Sequence, residues 1–177
     1  MIDHRDILQS FRTELAGHLA SFTPPPVEPL PVSVWMAAST LQKAIRRGRT
    51  DLAISAAATL LVNDPDRLWR RLGGIAFEDI GLGDLCTVGL VSAVLAGKRV
   101  RADLGGEWRV ASWLIRRLAS APKCRATDDL LMAVEALPSL ADRRRDFAEL
   151  THDQLRRVIL GNSDLHERAL ALIYLAG

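Results

Sequence analysis

Residues 64–84 read DPDRLWRRLGGIAFEDIGLGD. Asp64 followed by Pro65 is a helix start signal, because a capping carboxylate precedes a residue that lacks an N–H and has its φ already set. Leu68, Trp69, Leu72, Ile75 and Ala76 then share one stripe of a helical period, with Arg67, Arg70 and Arg71 turned away from it. Continuing the step of about 100° per residue places Asp79 on the apolar stripe and Glu78 at its edge. A carboxylate in that position needs a cation or several amide donors, since an unpaired buried charge costs several kcal/mol. Gly73 and Gly74 each cost roughly 1 kcal/mol against alanine inside a helix, which predicts another backbone crossing close by. Asp84, at the end of the glycine turn, is placed to cap the next helix.

Helical signals extend in both directions. Upstream, Asp3 can cap a first helix over residues 4–22, where Ile7, Leu8, Phe11, Leu15, Leu19 and Phe22 recur at helical spacing. TPPPVEPLP, residues 23–31, holds five prolines and reads as an extended spacer, so the first helix is expected to be an arm that docks on the body or on a partner. Ser33 opens a second helix with Val34, Ala38, Leu41 and Ile45 as its stripe, ending at Gly48; Lys43, Arg46 and Arg47 share its other face. Thr50 is expected to cap a third helix whose small residues allow close packing.

Downstream, a fifth helix runs from Asp84 through Leu95, and KRVRAD reads as a polar link. A sixth begins near Gly106, points Trp108, Ala111, Ile115 and Leu118 inward and stops before Pro122. Thr127 is expected to cap a seventh ending at Pro138, with three more over residues 140–149, 152–160 and 164–176. No alternating strand pattern of useful length occurs, so the expected fold class is all-α, a compact multi-helix bundle. The expected organisation is an arm (1–22), a Pro-rich linker (23–32), a helical domain (33–137) and a helical extension packed on it (138–177).

The 177 residues suffice for a substantial core, and 49% hydrophobic with 25% charged residues excludes wholesale disorder. The net charge of +2 conceals a polarity: −2 over residues 1–39 (two basic, four acidic), +7 over 40–125 (fifteen and eight) and −3 over 126–177 (six and nine). A basic middle suits an anionic partner such as DNA, or pairs internally. Cys86 and Cys124 are the only cysteines, too few for a Cys-rich zinc module. The most apolar run, residues 85–97, is too short to span a bilayer, and the first residues lack the basic-then-apolar order of a secretion signal. The expected location is cytoplasmic, with no membrane contact.

Motifs for chemistry are sparse. The segment from Gly89 to Lys98 fails as a phosphate loop, because seven residues separate Gly89 from Gly97 and Arg99 stands where a magnesium-binding hydroxyl belongs. His4, His18, His152 and His166 lack metal-ligand spacing, so no metal and no cofactor are expected. Glu78 and Asp79 are adjacent on a helix and point apart, which unfits them for flanking one scissile bond. No catalytic residue is assigned and no enzymatic activity is expected. Trp113 lies opposite the core stripe of its helix with Arg109, Arg116 and Arg117 around it. Together with Lys123 and Arg125 it forms the candidate nucleic-acid group, an aromatic face ringed by cations; coverage of Trp113 by a neighbouring helix or subunit is the alternative. Arg143, Arg144 and Arg145 stand among acids and read as a solvated face.

STLQKAIRRG (39–48), the 64–84 stretch and ASAPKCRATDDLL (119–131) together resemble the C-terminal region of the replication-associated recombination ATPase family, the bacterial maintenance-of-genome-stability ATPases and their Werner-helicase-interacting relatives. The resemblance covers about residues 38–137. It implies an all-helical module related to clamp-loader collars, which assembles the AAA+ ATPase into oligomers near DNA-processing partners. The positions it carries over are Lys43, Arg46, Arg70, Arg71, Glu78, Asp79, Asp84 and Lys123, as structural motif residues. It also suggests that Lys43 or Arg46, with amides of the glycine turn, holds Asp79. The ATPase core is missing from residues 1–177, and residues 139–177 replace the family's usual tail with acidic helices. The expectation is a non-enzymatic homo-oligomerisation or partner-binding module of replication, recombination or repair, with DNA binding through the basic middle as the alternative.

Overall fold

A computed structural model describes residues 4–95 and 97–176, which form eleven α-helices without a strand. The expected cap at Asp3 lies outside the described residues. The chain divides into two compact units, residues 1–125 and 126–177. The division falls after Arg125 rather than at 137, so the seventh expected helix belongs with the acidic C-terminal residues.

In the first unit, α1 (His4–Ala20), α2 (Val34–Arg46), α3 (Thr50–Asn63), α4 (Pro65–Ile75), α5 (Leu85–Leu95), α6 (Lys98–Asp103) and α7 (Glu107–Ser120) surround one core. Helix α3 lies at its centre, against α2, α4 and α7. Ala53, Ala56, Ala57 and Leu60 are buried there, and the alanines let neighbouring helices approach closely.

Local signals set most of the boundaries. The Ser33 side chain accepts from the Met36 amide at the start of α2, and Asp64 accepts from the Arg67 amide with Pro65 behind it. At the end of α2, Gly48 takes a positive φ of 66°, with Gly48 N bonded to Ile45 O and Arg49 N to Ala44 O, a Schellman closure. Thr50 is the first residue of α3 rather than its cap, and Arg49, in the capping position, makes no side-chain cap bond.

The first helix is no free arm. Leu15 and Leu19 are buried in the main core, α1 packs on α5, and Arg12 Nε donates to Ala93 O at 2.9 Å. The tip of the Phe11 ring occupies the space a side chain on Gly89 would need. The proline segment is equally committed: Leu30 N donates to Thr59 Oγ1 at 2.7 Å, and Trp108 Nε1 donates to Pro25 O at 3.1 Å. Proline removes amide donors but leaves carbonyls and apolar rings, and the segment uses both to lie along α3 and α7.

The polar link KRVRAD is helix α6. Its Arg101 is buried, bonded to Glu107 Oε1 (3.1 Å) and Val94 O (3.0 Å), with its guanidinium 4.3 Å from the centre of the Trp69 ring. The close approach expected at Gly73 and Gly74 is made by side chains rather than backbone: Leu95 lies against Gly73 and Glu78 folds over Gly74.

The second unit comprises α8 (Ala126–Ala136), α9 (Ala141–Ala148), α10 (His152–Leu160) and α11 (Leu165–Ala176). Helix α11 packs on the other three around Val134, Phe147, Leu155, Ala169, Leu170 and Ala171. Thr151 and Gln154 form a reciprocal capping box on α10. Thr127 lies inside α8 instead of capping it. The arginine run is partly spent within this unit: Arg143 pairs with Glu167 at 3.1 Å, Arg144 donates to Val134 O and Leu137 O at the end of α8, and Arg145 pairs with Asp142.

Candidate functional site

The α-helical period that puts Asp79 inward does not persist to Asp79. After Ile75 the chain widens into a π turn, Ala76–Ile80, closed by the Gly81 amide bonding to Ala76 O. The conformation is uncommon and concentrates at functional sites and strained junctions. Gly81 follows with a φ of 45°, a region that disfavours side chains, and a 3-10 turn over Gly81–Gly83 completes the reversal. Asp79 and Ile80 are both buried.

Asp79 is bonded at each oxygen. Arg46 Nε, from the last turn of α2, lies 2.8 Å from Oδ1, and Gln42 Nε2, one turn earlier, lies 3.2 Å from Oδ2. Gln42 also donates to Glu78 Oε2 at 3.0 Å and accepts from Arg71 Nη1 at 3.2 Å. One amide therefore links both carboxylates of the motif to Arg71 of α4. Of the two cations suggested by the resemblance, Arg46 makes the contact while Lys43 is exposed. The Gly81 amide bonds to Ala76 O instead, and Gln42 supplies the second donor. The glutamine is absent from the expected set because a neutral side chain at a helix edge carries no charge signal in sequence.

The two motif segments meet. Cys124 N donates to Asp79 O at 2.9 Å, and a Cβ on Gly83 would stand 2.9 Å from Pro122 O and 3.2 Å from Cys124 Cβ. Gly83 is therefore where backbone crosses backbone. Beside it, Lys123 Nζ donates to the carbonyls of Leu118 (2.9 Å), Ala119 (3.1 Å) and Ala121 (2.6 Å), which closes the C-terminus of α7. Burial pushes the Lys123 ammonium below its ordinary range, with the Asp79 carboxylate opposing that shift.

Asp84 begins α5. Its Oδ1 accepts from the Thr87 amide at 3.0 Å, while Oδ2 accepts from the Thr87 hydroxyl at 2.6 Å and Arg117 Nη2 at 2.9 Å. Burial raises the Asp84 carboxyl, but the bonds from Thr87 and the charge of Arg117 outweigh it and hold the group below the usual carboxylate range.

The candidate nucleic-acid group is largely turned to internal work. Trp113 is half-buried and stacks on His18 of α1, with ring centres 5.0 Å apart and planes 22° from parallel. Arg109 Nη2 donates to Leu19 O (2.5 Å) and Ala20 O (3.4 Å), capping α1, and Arg117 serves Asp84 and Thr87. Lys123 holds α7. Arg116 and Arg125 are exposed, but they no longer surround an open aromatic face. Coverage by a neighbouring helix, the alternative for Trp113, is what the fold contains, because α1 returns to the body.

Sequence periodicity passed over a second aromatic and basic cluster. Trp35, in the first turn of α2, is 73% exposed, and the Arg67 guanidinium lies 4.4 Å from the centre of its ring. Arg67 is held in turn by Asp64 (2.9 Å). Trp35, Arg67, Arg70, Arg71, Gly74 and Glu78 line a cleft of about 320 Å³. The signal was present in the arginines turned away from the α4 stripe; their aromatic neighbour is about thirty residues distant in sequence, and only the packing of α2 beside α4 brings it near.

Among the described residues, no three His, Cys, Asp or Glu side chains gather in a way that would hold a metal ion, and no helix is long and apolar enough to cross a membrane. No protein-family model matches the chain, and no curated protein matches it.

Proposed function

We propose that this chain is a non-enzymatic self-association or partner-binding module serving DNA replication, recombination or repair. The relation to clamp-loader collars and to the C-terminal module of the recombination ATPases is part of this reading. One observation carries it: Leu82 and Leu85, 62% and 63% exposed, project from a turn fastened on both sides by Asp79, Gly83 and Asp84. An apolar pair on a rigid support loses little conformational freedom when covered, which favours association. Asp79 supports a fastening role rather than a chemical one, since both its oxygens are engaged by donors.

Light scattering across a concentration series tests the reading. The expected result is a mass above the 19.4 kDa of one chain that falls when Leu82 and Leu85 are both replaced by serine, with helical content unchanged. A chain that remains monomeric at high concentration, and whose native-lysate partners are the same with and without the serines, would overturn it.

A further inference from the structure

The geometry points to the Trp35 cleft as a binding site for single-stranded nucleic acid, in which one base stacks on Trp35 while Arg70 and Arg71 hold the flanking phosphates. This surface differs from the Leu82 and Leu85 turn, and the inference stands without the association reading.

Three features carry it. Trp35 is 73% exposed although a large aromatic ring gains much from burial, and its ring is held in place from one side by Arg67. Arg67 is itself fixed by Asp64 through both its backbone amide and its Nε, so the platform is assembled before any ligand arrives. An indole backed by a guanidinium offers its remaining surface to a second flat π system, and any base presents one.

Arg70 and Arg71 sit one turn further along the same helix face and line the same cleft. Arg71 is oriented by Gln42 Oε1 at 3.2 Å, while Arg70 is exposed. Planar guanidinium forks match phosphate oxygens. Asp64 offsets Arg67, leaving two further arginines against the single carboxylate of Glu78. That balance is cationic but modest, which suits a short stretch of strand rather than a wrapped duplex. Glu78, bonded to the Gln42 amide at 3.0 Å, keeps acceptor capacity for an N–H donor on a base edge, such as the imide of thymine. A duplex buries its base faces in its own stack and leaves Trp35 nothing to cover, so single strands are the expected form.

The test uses the full chain and a fluorescently labelled twelve-nucleotide oligothymidylate, followed by anisotropy from low to physiological salt. Two neutralised phosphates predict a log–log salt slope of about −1.4. Trp35→Ala should weaken binding by roughly 5- to 150-fold, the equivalent of one lost base stack. Arg70→Ala should weaken it and bring the slope to about −0.7. Arg116→Ala, on the face first suspected, should leave it unchanged. Circular dichroism of each variant checks that the helices persist, as expected for exposed positions.

Four results would overturn the inference: no binding at low salt, equal affinity for a duplex of the same length, binding indifferent to Trp35→Ala, or a loss as large in Arg116→Ala. Displacement of the oligonucleotide by an equimolar polyglutamate peptide would also overturn it, in favour of an acidic protein segment as the occupant. Loss of self-association in the Leu82 and Leu85 variant with oligonucleotide affinity intact would separate the two surfaces.

Discussion

Arg46 Nε lies 2.8 Å from Asp79 Oδ1, and the two partners differ in their access to water: the arginine side chain is 40% exposed, whereas the aspartate has no exposed surface. The pair is therefore unequal when broken. Arg46→Met leaves a buried carboxylate with the Gln42 amide and the neighbouring Lys123 charge but without its ion-pair partner, and the expected loss is roughly 3 kcal/mol, the lower end for a broken buried pair because one partner is half-solvated. Asp79→Asn keeps an acceptor, and the freed guanidinium turns to water; its expected loss is about 1–2 kcal/mol. Urea denaturation of both variants checks the order, and a larger loss for Asp79→Asn would refute the asymmetry drawn from their unequal burial.

Gly89 and Phe11 provide a second test, directed at the docking of α1. The ring tip fills the place of a Cβ on residue 89, so Gly89→Ala should lift Phe11 and loosen α1 from α5. Alanine would otherwise favour the helix by about 1 kcal/mol, but expulsion of the ring is expected to outweigh this with a net loss of roughly 1–2 kcal/mol. Limited proteolysis should cut sooner within residues 4–31, and Phe11→Leu in the same chain should recover part of the loss. An alanine variant more stable than the parent would show that α1 docks by other contacts.

Asp84 makes stability depend on acid. Burial raises its carboxyl, yet the Thr87 bonds and Arg117 together hold it below its ordinary value of 3.8, so between the lowered value and 3.8 the unfolded chain binds more protons than the folded one. The contribution is complete above 3.8 and is lost as the pH falls through the lowered folded value. Asp84→Ala should cost about 1 kcal/mol near neutrality through loss of the cap and the ion pair. Thermal melting from pH 7 to 2 should show variant and parent converging at the acid end. A difference that stays constant across that range would mean that the charge of Asp84 contributes nothing.

Much of the helical order was legible because its signals are local. Asp64 with Pro65, Ser33, Gly48 and Asp84 act within four residues of themselves, and each stands at the boundary it predicts. Thr50 and Thr127 fall just inside the helices they were expected to cap, and the larger errors arose where a residue serves something distant. Arg101 read as part of a polar link because nothing nearby shows that Trp69 and Val94 O await it. The prolines read as a spacer because their stiffness is local, whereas the carbonyls that receive Trp108 and the Thr59 hydroxyl do so from across the fold.

The sequence by itself determined that the chain is helical, where most helices begin and end, and that position 79 carries a carboxylate requiring a partner, because capping, periodicity and the cost of burying charge act over a turn or two. Only the tertiary structure decided which partner that is, that α1 belongs to the body, and which tryptophan is covered. Trp113 and Trp35 each stand near arginines in an amphipathic setting, and the docking of α1 over the first while the second remains 73% exposed depends on the summed packing of distant helices. No local period encodes that sum.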